Sequence, residues 1–177
     1  GFIGWHLYYS LKFKFNEFIL IDFKKEFFYN SNDLDYFVSK CDVIIHLAGV
    51  NRDDDEKKLY EENIKLASFL IDSIKRIHFK GKLIFSSSYQ ENMKNEYGKS
   101  KNEIRKMFIS ESKLNNFKFS GLLIPNVFGP FSKPNHNTFI ATFCNKIING
   151  KIPQIIKDSL IPLIYIDDLI LEIINEI

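Results

Sequence analysis

Short apolar runs alternate with longer amphipathic stretches along the whole chain, and nothing else in it restricts the fold as much. Phe18–Asp22 (FILID), Asp42–Leu47 (DVIIHL), Lys82–Ser86 (KLIFS), Phe117–Ile124 and Leu163–Ile166 read as strands, the first three built around apolar runs that suit burial on both faces. Between them lie helical patterns. Glu56–Ile77 repeats Leu59, Ile64, Leu66, Ala67, Leu70, Ile71 and Ile74 on one face. Gly1–Phe15, Asn32–Lys40, Tyr97–Lys113, Asn137–Asn149 and Asp167–Ile177 complete the predicted helices. Asn30, Ser31 and Asn32 are candidate caps for the second, and Gly150 suits a left-handed stop after the Asn137 helix. Strand–helix alternation predicts an α/β fold, a doubly wound parallel sheet with helices on both faces. In such a sheet ligands bind at the carboxyl ends of the strands.

With 177 residues and no Pro/Gly/Ser linker, the expectation is one domain over residues 1–177. Hydrophobic residues make up 45% and charged residues 26%, a balance that excludes a disordered chain. The net charge of +2, with no long run of one sign, gives no electrostatic reason to expect nucleic acid or a membrane as partner. No apolar stretch reaches the ~18 residues of a transmembrane helix, and no signal peptide is visible. Cys41 and Cys144 form neither a CxxC nor a disulfide framework, which predicts a reducing, cytoplasmic compartment. The four histidines are scattered, with no HExxH or Cys/His cluster, so no metal site is expected. The chain starts at Gly1 inside a glycine motif and ends inside a helix, and so reads as a piece of a longer one.

Each candidate site residue falls at a predicted strand end. Gly1-Phe2-Ile3-Gly4 opens a helix, where glycine admits a pyrophosphate to the helix N-terminus. Composition alone gives about 0.35 GxxG pairs, so the spacing gains weight only from its surroundings. Asp22 lies 18 positions after Gly4, near the ~20 expected of an acid that binds an adenosine ribose. An exposed strand-end Asp is the alternative. Asp22 favours NAD, whereas Lys24 and Lys25 suit the 2′-phosphate of NADP, and the sequence leaves both open.

Tyr97 and Lys101 form a YxxxK, which places both on one helix face. There an ammonium can lower the phenol pKa for proton exchange with a carbonyl or alcohol. About one such pair is expected by chance, and Tyr8/Lys12 and Tyr36/Lys40 share the spacing. Only Tyr97 follows a strand ending in serines, Ser86-Ser87-Ser88, where a hydroxyl can bond the same substrate oxygen. The alternative for Tyr97 is a surface residue beside a solvated lysine.

Taken in order, Gly1-x-x-Gly4, Asp22, His46-Leu47-Ala48-Gly49, Asn63, Ser86-Ser87-Ser88, Tyr97-x-x-x-Lys101, Pro125-Asn126-Val127-Phe128-Gly129 and Tyr165-Ile166-Asp167-Asp168 resemble the extended short-chain dehydrogenase/reductases. These are the NAD-dependent epimerase/dehydratase group, which act on nucleotide sugars on a Rossmann-type sheet. Four segments resemble one subgroup more closely: residues 46–52, 86–90, 97–101 and 135–144. That subgroup is the reductase domain of the capsular polysaccharide enzymes that make UDP-N-acetyl-L-fucosamine precursors. There the domain reduces a 4-keto UDP-deoxyhexose with NADPH, and a cupin domain follows. The dehydratases carry an Asp-Glu pair after the strand hydroxyl residue. Tyr89-Gln90 stand there here, which disfavours elimination of water.

The resemblance implies the following roles. Gly1, Phe2, Ile3 and Gly4 line the pyrophosphate, and Asp22 or its lysine neighbours meet the adenosine ribose. Leu47, Ala48 and Gly49 pass beside the cofactor. Ser88 polarises the sugar carbonyl, Tyr97 is the general acid, and Lys101 tunes Tyr97 and holds the nicotinamide ribose. Asn126 lies at the cofactor–substrate boundary. Asn135, His136 and Asn137 contact the sugar nucleotide or cap the next helix. His46 reads as a strand-end histidine satisfied by backbone, and Asn51 and Arg52 as substrate contacts or a solvated loop. A homodimer, often built through the helix that carries the tyrosine, is implied as well.

Three departures stand against the pattern. The first strand and first glycine of the fingerprint lie outside this chain. Leu122-Leu123-Ile124 replace the usual arginine before Pro125-Asn126. Most of the C-terminal substrate region and any cupin domain are also outside it. The expected function is thus a cytoplasmic NAD(P)H-dependent reductase of a 4-keto UDP-sugar for surface polysaccharide. The alternatives are a nucleotide-sugar 4-epimerase, a non-catalytic dinucleotide-binding protein, or an inactive truncated product.

Overall fold

A computed structural model of the chain describes residues 1–135, 138–155 and 158–177. The chain divides into two compact units, each assembled from separated segments. One comprises Ile19–Leu123 with Glu176–Ile177, the other Gly1–Phe18 with Ile124–Asn175.

The larger unit starts from α2 (Ser31–Ser39), β1 (Val43–His46) and α3 (Glu56–Arg76). It continues through β2 (Lys82–Ser88), α4 (Glu96–Asn115) and β3 (Lys118–Ile124). The strands stand in the order β1-β2-β3. β1 and β2 run parallel, with Val43 opposite Lys82 and His46 opposite Phe85. Leu83, Ile84 and Phe85 of β2 are completely buried. Burial on both faces is why this run shows no alternation. Burying a side chain the size of Phe85 contributes roughly 1.5–3 kcal/mol.

α3 turns Leu66, Ala67, Leu70, Ile71 and Ile74 into the same core that holds Phe85, Ile104 and Phe108. Two caps set where helices begin. Asn30 accepts from Asn32 N and Asp33 N at the start of α2, and Asp55 accepts from Lys57 N and Lys58 N at the start of α3.

The smaller unit contains α1 (Phe2–Phe13), β4 (Asn126–Phe128), α5 (Phe139–Ile148), β5 (Leu163–Tyr165) and α6 (Ile166–Asn175). β4 and β5 pair in parallel, with Asn126 opposite Leu163. Gly150, just past α5, has φ +67°, the left-handed stop that the sequence predicts. The expected start of α5 at Asn137 lies outside the described residues, as does His136. Among the described residues no helix is long and apolar enough to cross a membrane.

One expected strand does not form. Phe18–Asp22 is irregular, and Ile19 stays 92% exposed. An apolar run becomes a strand only where its N–H and C=O groups find a ladder. Among the described residues no strand pairs with this segment. Two short 3-10 turns, Lys25–Tyr29 and Tyr89–Asn92, carry no periodic pattern and were not expected.

Candidate active site

The end of β2 and the first turns of α4 place three of the predicted residues together in the larger unit. Ser86 and Ser88 share one side of the strand because side chains alternate. Ser88 caps the following 3-10 turn, its hydroxyl accepting from Gln90 N at 3.1 Å. Tyr97, in the first turn of α4, brings its phenol close to the Ser88 hydroxyl. Lys101, one turn further, is only 4% exposed and donates to the Ser86 carbonyl at 2.9 Å. Its ammonium lies 5.8 Å from the centre of the Tyr97 ring and 4.8 Å from that of Phe85.

A close backbone approach sets this geometry. Asn95 caps α4 by accepting from Gly98 N at 2.7 Å. A Cβ on Gly98 would stand 1.9 Å from the Gln90 carbonyl oxygen. Only glycine lets the turn after Ser88 pack so tightly on the helix that carries Tyr97.

Burial dominates the protonation of both groups. It pushes the Tyr97 phenol up, and the neighbouring Ser88 hydroxyl offsets this in part. The sequence suggested that Lys101 would pull the phenol down. The ammonium instead gives a hydrogen bond to the Ser86 carbonyl. Burial pushes Lys101 down to about 8, against the pull of Glu91 in the other direction. At neutral pH the set is therefore a protonated phenol beside a hydroxyl and an ammonium, which suits donation of a proton to a carbonyl oxygen.

Asn63, one residue of the sequence motif, is a tie at the centre of this region. Its Oδ1 accepts from Val50 N at 2.7 Å, and its Nδ2 donates to Val50 O at 2.8 Å and Ser100 Oγ at 3.2 Å. The loop after β1 is thereby pinned to α3 and α4. A Cβ on Gly49 would come within 3.2 Å of Asn63 Oδ1 and 3.4 Å of Lys101 Nζ. Leu47 and Ala48 precede it, partly buried.

The His46 ring is enclosed by Phe28, Phe85 and Phe108, and burial with the nearby Lys101 charge lowers its pKa to about 3. Its backbone carbonyl also meets the neighbouring strand, accepting from Ser86 Oγ at 3.2 Å. Asp22 is exposed on the irregular segment and ends no strand, because that strand is not formed.

In the smaller unit, Gly1 precedes α1 with no side-chain cap, so the first N–H groups of the helix keep their outward donors. Open space surrounds Gly1, while Phe2, Ile3 and Gly4 lie within the first turn. Those uncapped donors fit an anionic pyrophosphate, and the narrow Gly49 position fits close passage of a cofactor. Asn126 opens β4, with its N–H on Pro162 O at 3.2 Å. Asn135 is exposed at φ +57°, its N–H on Thr142 Oγ1 at 2.8 Å. It is not the cap of α5, which is Thr138.

The NAD dependent epimerase/dehydratase family matches residues 1–173. A UDP-2-acetamido-2,6-beta-L-arabino-hexul-4-ose reductase of Pseudomonas aeruginosa is 34% identical over 139 residues, which cover 78% of this chain and 37% of the relative. The capsular polysaccharide assembling protein CapF of Staphylococcus aureus superimposes with a TM-score of 0.80 at 30% identity, over 99% of this chain and 47% of CapF. The UDP-glucose 4-epimerase of Thermotoga maritima, solved with UDP-glucose, has a TM-score of 0.79 at 21% identity, over 96% of this chain and 68% of the epimerase. The last shares the fold. The chain thus spans less than half the length of the reductase and of CapF, and its architecture is the Rossmann-type α/β fold of these structures.

Proposed function

The chain belongs to the NAD dependent epimerase/dehydratase family, and from that premise we propose that it is the cofactor-binding part of a nucleotide-sugar reductase. The substrate is a 4-keto UDP-deoxyhexose of surface polysaccharide synthesis, in keeping with the reductase and capsule relatives. The observation that carries this reading is the set at the end of β2, where the half-buried Tyr97 phenol lies beside Ser88 and the buried Lys101, one helical turn away, donates to the Ser86 carbonyl.

Reduced NAD or NADP supplies the hydride when bound. Tyr97 gives its proton to the carbonyl oxygen, and its raised pKa keeps that proton in place at neutral pH. Ser88, whose oxygen already accepts from Gln90 N, turns its own O–H to the same oxygen. The Lys101 ammonium offsets the charge left on Tyr97 and bonds the nicotinamide ribose. Gly1, Phe2, Ile3 and Gly4 take the pyrophosphate, Leu47, Ala48 and Gly49 border the cofactor, and Asp22 or its neighbours Lys24 and Lys25 meet the adenosine ribose. Asn126 and Asn135 contact the sugar nucleotide.

The test gives the full-length protein a UDP-4-keto-deoxyhexose with NADPH or NADH and follows both cofactor and sugar. One cofactor oxidised per alcohol formed is the expected result. Interconversion of UDP-sugars without net oxidation would replace the reading with a 4-epimerase. Cofactor binding without turnover of either kind would replace it with a dinucleotide-binding protein.

A further inference from the structure

Behind Ser88 the chain builds a second buried polar cluster that the chemistry above does not use. Ser87 faces the other side of β2 from Ser86 and Ser88, and its hydroxyl donates to Glu91 Oε1. Arg105 grips the same carboxylate with both arms. Its Nε lies 2.7 and 3.0 Å from the two oxygens, and its Nη2 lies 2.7 Å from Oε2. Asn102 Nδ2 adds a contact at 3.3 Å. The Glu91 side chain is 3% exposed and that of Arg105 29%. On β3, Gly121 leaves space for the arginine, since a Cβ there would stand 2.9 Å from Arg105 Cδ.

The cluster joins the elements that carry the site. Ser87 sits beside Ser88 on β2, Glu91 lies in the turn that Ser88 caps, and Asn102 and Arg105 follow Lys101 on α4. Burial pushes the Glu91 carboxyl up, but the Arg105 and Ser87 hydrogen bonds outweigh it and hold it below the usual range. Its negative charge also reaches Lys101. The other groups facing Lys101 are the Tyr97 phenol on its own helix, the Ser86 carbonyl on β2 and the His46 ring on β1, which is neutral. Gly49 and the Asn63 amide close the side toward α3 without charge.

We propose that the Glu91–Arg105 clamp is a positioning device: it locks α4 against the end of β2 so that Ser88 and Tyr97 stay next to one another, and its carboxylate balances the buried Lys101 ammonium. Its effect on turnover rests on the reductase reading, while its geometry and charge do not.

The test follows Lys101 by NMR of side-chain-labelled lysine in the full-length protein, assigned with Lys101→Met. Glu91→Gln should move the Lys101 midpoint down, because the balancing charge is gone. Arg105→Gln should move it up, because the carboxylate is no longer neutralised. Loosened packing alone would hydrate the ammonium and move both upward, so a common upward shift, or none, overturns the proposal. The Glu91→Gln chain is expected to fold, since the partly exposed Arg105 can turn to water. In the keto-sugar assay the same variant should lose roughly 10- to 100-fold in kcat, the scale of a small misplacement of reacting groups, with cofactor affinity unchanged. An unchanged kcat in an active enzyme overturns the positioning role. If the wild-type protein reduces no keto-sugar, the functional reading fails, and the Lys101 titration still decides the clamp.

Discussion

Tyr97 with Lys101 and Tyr36 with Lys40 have the same spacing, and in both the ammonium lies over the ring, at 5.8 and 5.2 Å. The surroundings could hardly differ more. Tyr36 is 68% exposed in the last turn of α2, and Lys40 beside it is open to solvent. Lys101 is buried against Phe85, bonded to the Ser86 carbonyl, and one turn from a phenol that reaches Ser88. A third pair, Tyr8 with Lys12 on α1, is exposed like the second, at 5.7 Å. Helix geometry guarantees the contact in every case. It is burial that sets one pair apart, pushing its phenol up and its ammonium down.

The largest way to break this comparison is to remove the two phenols in turn. On the proposed function, Tyr97→Phe costs about 10²–10⁴-fold in turnover and leaves cofactor binding intact, while Tyr36→Phe changes neither. Steady-state rates with NAD(P)H and the keto-sugar decide it, and equal losses from both would erase the distinction.

Next in size is Gly98→Ala. The added Cβ has 1.9 Å to a backbone oxygen that cannot swing aside. The expected cost is about 1–3 kcal/mol of stability, typical of overpacking. Thermal unfolding measures it, and an unshifted Tm would mean that the turn after Ser88 yields freely.

The pH dependence sharpens the comparison further. Folding lowers the Lys101 pKa from 10.5 to about 8. Between those values the unfolded chain binds more protons, so stability rises with pH across that window. Lys101→Met should abolish that part of the rise, seen as a flatter plot of Tm against pH from 8 to 10. Parallel plots for the two proteins would place Lys101 in water, like Lys40.

The smallest effect belongs to the exposed region. Asn30→Ala removes the cap from the helix of Tyr36 and should cost about 1 kcal/mol, measured by denaturant unfolding, with no change in turnover. A loss of activity would tie α2 to the site after all.

Local signals made much of this legible. The α3 face, the Asn30 cap and the left-handed Gly150 are written in neighbouring residues, because caps and periodicity act within a turn or two. Ser88, Tyr97 and Lys101 were legible because a strand end and a helix start bracket them. The failed strand at 18–22 marks the opposite case. Its residues suit a strand, but its hydrogen bonds depend on a partner that no local pattern supplies. Glu91 with Arg105, and Asn63 with Val50 and Ser100, were missed for a related reason. Their spacings of 14, 13 and 37 positions match no helix or strand period.

Residue order alone, then, was enough for the alternation of strands and helices, most of their limits, and the pairing of a tyrosine with a lysine four positions on. Those properties come from backbone periodicity and short-range sterics. Which of three such pairs lies beside a serine, what pKa its lysine takes, and which acid Arg105 holds were decided only when β2, its turn and α4 closed on one another. Desolvation and charge coupling depend on distance through space and on the exclusion of water, and neither exists until the core has formed.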